Sequence, residues 1–183
     1  MVDKHKVFVA FHSADVEYKD KFEKISKDVI VTRSVRDGDI PDGIATETTM
    51  QKIRDEYLSD STVTVVLIGK NTWQRKYVDW EIYSSLRETK NSPRSGLLGI
   101  LLPTYPRSEP GKYSHNTIPP RLYDNTNKGD STKIGYANVY GWIEDPQTIK
   151  KIVDEAFERR GKVPVDISRD RFEKNRSGEH WSN

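Results

Sequence analysis

The chain has 183 residues, enough for one domain with a substantial core. Its 30 basic and 28 acidic residues give a formal net charge of +2, so the composition does not support a dominant nucleic-acid-binding surface. Cysteine is absent, which excludes disulfides, thiolate nucleophiles and thiolate metal sites. No apolar run approaches the length of a membrane span and the start lacks a signal-peptide core, so we expect a cytoplasmic protein without a membrane partner.

Strand-like and helix-like segments alternate over the first two-thirds of the chain. Runs of β-branched and aromatic residues predict strands, and apolar residues at helical spacing predict helices. In chain order we predict a strand over 6–11, a helix over 15–28, a strand over 29–35, a turn-rich acidic loop over 36–43, a helix over 48–60, a strand over 62–69, a helix over 76–86 and a strand over 96–103.

The last third of the chain is less regular. Residues 104–136 are rich in Pro, Ser, Asn, Gly and Tyr, and such a length predicts a functional or partly irregular loop. An edge strand is predicted over 137–142, and a helix follows with Asp145 as its N-cap. We therefore expect one domain over 1–162 and a polar, loosely packed tail over 163–183.

This order of elements predicts the fold class. Alternating strands and helices with continuous apolar strands are typical of a parallel sheet covered on both faces. Five such strands with right-handed crossovers fit an α/β, flavodoxin-like, doubly wound sheet in the order 2-1-3-4-5. In these sheets a ligand binds beyond the carboxyl ends of the strands where the strand order reverses, which here is between strands one and three.

Polar residues follow both strands at this switch point. Strand one is followed by Phe11, His12, Ser13 and Asp15, and strand three is followed by Lys70 and Asn71. His12 could hydrogen-bond a substrate hydroxyl or phosphate, or it could cap the next helix, and we leave this open. Ser13 and Asp15 are competent helix N-caps, and for Ser13 we prefer that interpretation.

The helix over 76–86 leaves from the second of these loops and carries Glu81. At about 100° per residue, Glu81 lies roughly 60° from Val78 and roughly 100° from Ile82, at the margin of the apolar stripe. We expect a boundary position for this carboxylate, with a salt-bridging helix acid as the alternative. Trp80 and Tyr83 fall on the opposite side, either as an exposed aromatic patch for a partner or under the long loop.

Several familiar sites can be set aside. Asp37, Asp39 and Asp42 do not have EF-hand spacing, so a mobile acidic loop overhanging the crevice is the better interpretation. The chain has no glycine-rich phosphate fingerprint, no nucleophile elbow and no zinc-binding helix motif, and its four histidines lack metal-ligand spacing. We therefore predict no metal site, and a nucleotide would have to be held without the usual glycines.

Three stretches together resemble a known family. "VFVAFHSAD", the "RSVRDGDIPDG" loop and "VVLIGKNTWQRKYVDWEIYSSL" are similar to the TIR-like domains of the bacterial Thoeris antiphage defence system, over about residues 5 to 105. TIR domains usually carry Trp-Cys-x-x-Glu on this helix. Here Tyr77 and Val78 replace the Trp-Cys pair and Glu81 is kept.

The resemblance implies an enzyme with NAD as its substrate and no cofactor. Members of the family cleave the nicotinamide–ribose bond and make a cyclic ADP-ribose isomer or an ADP-ribose conjugate, a diffusible signal that activates a partner effector. Homo-oligomerisation is left open. On this basis Glu81 is the expected catalytic residue, and the expected substrate-binding residues are Phe11, His12, Ser13, Asp15, Arg36, Lys70, Asn71 and Tyr77.

Three rival functions compete with NAD cleavage. A non-catalytic TIR-like adaptor would bind through the aromatic patch of Trp73, Trp80 and Tyr83. A nucleoside deoxyribosyltransferase-like enzyme would also use a glutamate on a flavodoxin-like sheet. A receiver or flavin-binding domain is discounted, because a receiver needs an Asp closing strand three, where this chain has Ile68, Gly69 and Lys70.

Overall fold

The structure is a computed structural model that describes residues 4–36, 39–40, 43–90, 92–107, 109 and 112–182. Its strands are β1 (Lys6–Ala10), β2 (Val31–Arg33), β3 (Val63–Ile68), β4 (Gly96–Leu101) and β5 (Ala137–Tyr140). Its α-helices are α1 (Val16–Ser26), α2 (Thr46–Lys52), α3 (Lys76–Leu86), α4 (Pro120–Asp124) and α5 (Pro146–Arg159). Among the described residues, none of the helices has the length and apolar character needed to cross a membrane.

The five strands form one parallel sheet in the order β2-β1-β3-β4-β5. This confirms the predicted doubly wound α/β fold. Both β3 and β4 are buried along their whole length, because helices cover the two faces of the sheet. The strand order reverses between β1 and β3, so the predicted switch point lies at their shared carboxyl edge.

Each face of the sheet carries its own core. Alternate residues of β1 point to opposite faces, with Phe8 and Ala10 in one cluster and Val7 and Val9 in the other. The first cluster includes apolar residues of α3 and α4, and the second includes those of α1 and α5. Glu81 therefore belongs to the layer that α3 shares with α2 and α4.

Some elements differ from the predicted bounds. β2 is three residues long, and α2 begins at Thr46 and continues as a π-helix over Ile53–Leu58. The segment 104–136 contains α4, whose Leu122 is fully buried with the preceding Ile118. This segment forms the crossover from β4 to β5 and includes its helix, which explains its length.

The prediction of a loosely packed C-terminal tail is wrong. Residues 163–182, called the strap below, pack across α3 and α4. Phe172 and Trp181 are buried. The Trp80 indole N–H donates to the carbonyl of Phe172 at 2.8 Å, and the Trp181 indole N–H donates to the carbonyl of Ile118 at 2.8 Å. The prediction rested on the largely polar composition of this segment and overlooked Phe172 and Trp181 as buried anchors.

The capping predictions had mixed outcomes. Asp145 caps α5 by accepting from the backbone N–H of Thr148 at 2.7 Å, as predicted. Asp15 occupies the N-cap position of α1 as predicted, but its side chain makes no capping hydrogen bond. The capping interpretation of Ser13 is wrong, because the residue at the N-cap position there is His12. Ser13 opens a 3-10 turn, and the carboxylate of Asp15 is engaged elsewhere.

Candidate active site

The loops after β1, β3 and β4 meet at the carboxylate of Asp15. This side chain is buried, and its Oδ1 accepts from the hydroxyl of Thr104 at 2.8 Å. A Cβ at position 69 would lie 2.1 Å from Asp15 Oδ2, so any residue other than glycine would displace that carboxylate. Asp15 thus joins the three loops at the switch point, and its contacts are with the protein itself.

The remaining residues of this edge surround that joint. His12 and Ser13 follow β1 and are half-buried, whereas Lys70 and Asn71 follow β3 and are exposed. Phe11 packs on the α1–α5 layer, with the Lys19 ammonium 6.0 Å from its ring centroid. The structure therefore brings these residues to one edge of the sheet but turns Phe11 towards the face opposite α3.

Arg36 and Tyr77 lie further out. The backbone N–H of Arg36 donates to Asp39 Oδ2 at 2.8 Å, and its guanidinium is 3.8 Å from Asp20 of α1. Tyr77 is exposed and stacks edge-to-face on Trp80, with ring centroids 5.3 Å apart. The predicted mobile, acidic loop includes Asp37 and Asp42, which lie outside the described residues.

Glu81 is buried, and the predicted boundary position is wrong. The residue is 6% exposed, and its Oε2 has no hydrogen-bond partner among the described residues. Burial raises the pKa of the Glu81 carboxyl well above its usual range, because an ionised carboxylate loses its hydration there. Burial therefore favours the neutral acid over the carboxylate.

The other flank of α3 carries an acid with the opposite environment. The carboxylate of Asp79 accepts from Arg121 at 2.9 and 3.2 Å and from the backbone N–H of Phe172 at 2.9 Å. Arg121 is fully buried and also donates to two carbonyls of the strap. At about 100° per residue, Glu81 lies roughly 160° around the helix from Asp79, away from α4 and on the α2 side.

Sequence reasoning missed two features of this helix. The pair of Asp79 and Arg121 joins residues 42 positions apart, so no local spacing could reveal it. Ser84 was also missed: it is 5% exposed, and its Oγ has no hydrogen-bond partner among the described residues. Ser84 follows Glu81 by three residues, so the same helical wheel that placed Glu81 could have identified it.

The predicted exposed aromatic patch does not exist in this structure. Trp73 is buried and Trp80 is 4% exposed. The strap covers Trp80 in place of the 104–136 segment. Tyr83 is half-buried, with the guanidinium of Arg121 4.9 Å from its ring centroid.

The two described pockets do not contain Glu81, and the described residues form no metal site. A pocket of about 490 Å³ lies between the strap and Trp73, and a pocket of about 530 Å³ follows the outer face of α5; Glu81 lines neither. Across the part of the chain that the structure describes, no group of three or more His, Cys, Asp or Glu side chains is placed to hold a metal ion.

Comparisons with known proteins place this chain in a family. The family model described as Thoeris protein ThsB, TIR-like domain, matches residues 8–107, which are 100 of the 183 residues. The TIR domains in the structure of the activated Roq1 resistosome directly recognizing the pathogen effector XopQ are 18% identical over 53% of this chain and 58% of that chain, with a TM-score of 0.35. No curated protein matches significantly. Since the matched region runs from β1 past β4 and includes Glu81, the chain belongs to the Thoeris ThsB TIR-like family.

Proposed function

We propose that this protein cleaves the bond between nicotinamide and ribose in NAD, with Glu81 as the catalytic residue. The observation that carries the proposal is the buried carboxyl of Glu81, whose Oε2 has no partner within the described chain. A buried acid without a partner costs free energy in the folded protein, and such costs concentrate at functional sites. Membership of the family supports the choice of substrate.

The reaction needs a negative charge beside the sugar. When the bond between C1′ of the ribose and the ring nitrogen breaks, its electron pair leaves with nicotinamide, which departs as a neutral molecule. Positive charge then develops on C1′ and the ring oxygen of the ribose, as in glycoside hydrolysis. The Glu81 carboxylate would stabilise that charge, more strongly in a buried site than in water.

The raised pKa of Glu81 in the free protein is compatible with this role. Burial raises the pKa of Glu81, but the nicotinamide ring of NAD carries a positive charge. A cation placed within a few ångströms of a carboxyl favours its ionised form. Substrate binding would therefore lower the pKa of Glu81 again and favour the ionised carboxylate beside the bound ring.

The second half of the proposed reaction consumes the activated sugar. A nucleophilic group of the same ADP-ribose, or of another small molecule, attacks C1′ and loses its proton, which gives a cyclic isomer or a conjugate. This product would be the signal for a partner effector. His12, Ser13, Lys70 and Asn71 at the switch point are proposed to orient the ribose and pyrophosphate, while Asp15 holds their loops together.

The proposal is tested by measuring nicotinamide release from NAD with the purified chain. Replacing Glu81 by Gln keeps the size of the side chain and removes its charge, so we expect release to fall by at least about 100-fold. Glu17→Gln, an exposed glutamate of α1, serves as the matched control and should leave the rate unchanged. An undiminished rate in Glu81→Gln would remove Glu81 from the chemistry.

The same assay separates the rival functions. An adaptor would leave NAD intact, and its proposed binding surface at Trp73 and Trp80 is buried beneath the strap. A deoxyribosyltransferase-like enzyme would instead exchange bases between free nucleosides. Base exchange without nicotinamide release would favour that rival over NAD cleavage.

A further inference from the structure

A second polar group on α3 shares the environment of Glu81. Ser84 lies three residues after Glu81, and residues at this spacing are neighbours on a helix surface, with Cβ atoms about 5–6 Å apart. Both residues are buried, at 6% and 5% exposure. Glu81 Oε2 and Ser84 Oγ both lack a hydrogen-bond partner among the described residues.

Two other buried helical serines do have hydrogen-bond partners for their hydroxyl groups. The Ser26 hydroxyl donates to the carbonyl of Phe22 at 2.8 Å. The hydroxyl of Ser85, the next residue of α3, donates to the carbonyl of Ile82 at 2.9 Å. Such bonds to the preceding turn are open to any helical serine. Ser84 does not make one, so its hydroxyl has no hydrogen bond within the described chain to give up when a ligand binds.

We infer that Ser84 is a substrate-positioning residue, which together with Glu81 binds one sugar hydroxyl of the nicotinamide ribose. This inference rests on the proposed function. A ligand hydroxyl has one proton to donate and two lone pairs to accept with. It can donate to the Glu81 carboxylate and accept from Ser84, which satisfies both buried atoms at once.

The geometry also defines what the site selects. A buried site built to hydrogen-bond a hydroxyl discriminates against an analogue that lacks it, because the protein groups are then left unpaired. The site would therefore prefer an intact ribosyl substrate over its deoxy analogues. The opposite flank of α3 cannot provide this selection, since Asp79 and Arg121 already satisfy each other.

The first test compares Ser84→Ala with wild type on NAD and on two analogues whose nicotinamide ribose lacks the 2′- or the 3′-hydroxyl. We expect Ser84→Ala to lower kcat/KM for NAD about tenfold, the effect of losing one good hydrogen bond. For the analogue that lacks the contacted hydroxyl, wild type and variant should have equal kcat/KM. An equal loss on all three substrates, or no loss on any, would contradict the inference.

The neighbouring serine provides the matched control. Ser85→Ala removes a hydroxyl that is equally buried but already bonded within the helix, so its ratio of kcat/KM between NAD and the analogues should equal that of wild type. Its melting temperature should fall, whereas that of Ser84→Ala should not, since alanine favours the helix and no bond is lost. A lower melting temperature for Ser84→Ala than for Ser85→Ala would assign Ser84 a structural role.

Binding of ADP-ribose, measured by calorimetry, separates this inference from the proposed reaction. We expect Ser84→Ala to bind ADP-ribose about tenfold more weakly than wild type or Ser85→Ala. If that holds while wild type releases no nicotinamide, the reaction is wrong and the role of Ser84 stands. If nicotinamide is released but Ser84→Ala matches wild type throughout, the role of Ser84 is wrong and the reaction stands. Failure of wild type to bind ADP-ribose would contradict the inference directly.

Discussion

Two acids only two residues apart on α3 differ in their hydrogen-bond partners. Asp79 accepts three hydrogen bonds, two of them from a buried guanidinium, so its charge is compensated. Glu81 is equally buried, but its Oε2 lacks a partner among the described residues, and its pKa is raised by the loss of hydration. The difference follows from the partners of the two flanks, since helix position alone would allow either outcome.

The raised pKa of Glu81 makes stability depend on pH. Below about pH 4.3, glutamate is protonated in the folded and in the unfolded chain, so its favourable neutral state is fully present. Above that pH the unfolded chain loses the proton while the folded chain retains it, and folding becomes less favourable up to the folded pKa. We expect urea unfolding to show Glu81→Gln gaining stability relative to wild type, by about 1.4 kcal/mol per pH unit in this window.

Glu17→Gln provides the comparison for that titration, because Glu17 is exposed on α1. Its free energy of unfolding should follow that of wild type across the same pH range. If Glu81→Gln also followed wild type from pH 4 to pH 8, the carboxyl would have an ordinary pKa in the folded protein, contrary to its burial.

At the scale of elements, α3 is held on its outer side by the strap. Asp79 accepts from the backbone N–H of Phe172, and the Trp80 indole donates to the carbonyl of the same residue. The backbone N–H of Lys76, at the start of α3, donates to the side-chain oxygen of Asn175 at 3.0 Å. The strap therefore fixes the position of the helix that carries Glu81 and Ser84.

The buried ion pair of Asp79 and Arg121 should contribute strongly to the stability of the fold. Asp79→Ala would leave the Arg121 guanidinium buried with only carbonyl partners, and breaking a buried ion pair typically costs about 3–5 kcal/mol. We expect a loss of that size in urea unfolding. As the control, Glu158→Ala removes an exposed ion pair between the end of α5 and Lys162, and should change stability by less than about 0.5 kcal/mol. Similar losses in the two variants would contradict the role of the buried pair.

At the scale of the whole molecule, the sheet could be predicted because strands that are buried on both faces have continuous apolar sequences. β3 and β4 are fully buried and read as continuous apolar runs, and α3 begins and ends at the predicted residues 76 and 86. The switch point followed from topology, since the strand order determines which loops meet. The contact between Asp15 and Gly69 is a product of that order.

Features that depend on distant partners could not be predicted in this way. The strap is anchored largely through backbone groups, such as the carbonyl of Phe172, and backbone groups have no sequence signature. The protonation of Glu81 depends on what covers the helix, which only the assembled layer of α2, α3 and α4 determines. The helical wheel gave the direction of Glu81 on α3 but could not give its burial.

The central claim, that the buried Glu81 carboxyl must ionise for NAD to be cleaved, is tested most directly by the pH dependence of nicotinamide release. Because kcat/KM reports the ionisation of the free protein, it should rise with pH through a midpoint well above the ordinary glutamate pKa of about 4.3, and Glu81→Gln should show no such rise. A kcat/KM for wild type that is independent of pH from pH 5 to pH 9, or that Glu81→Gln reproduces, would contradict the account.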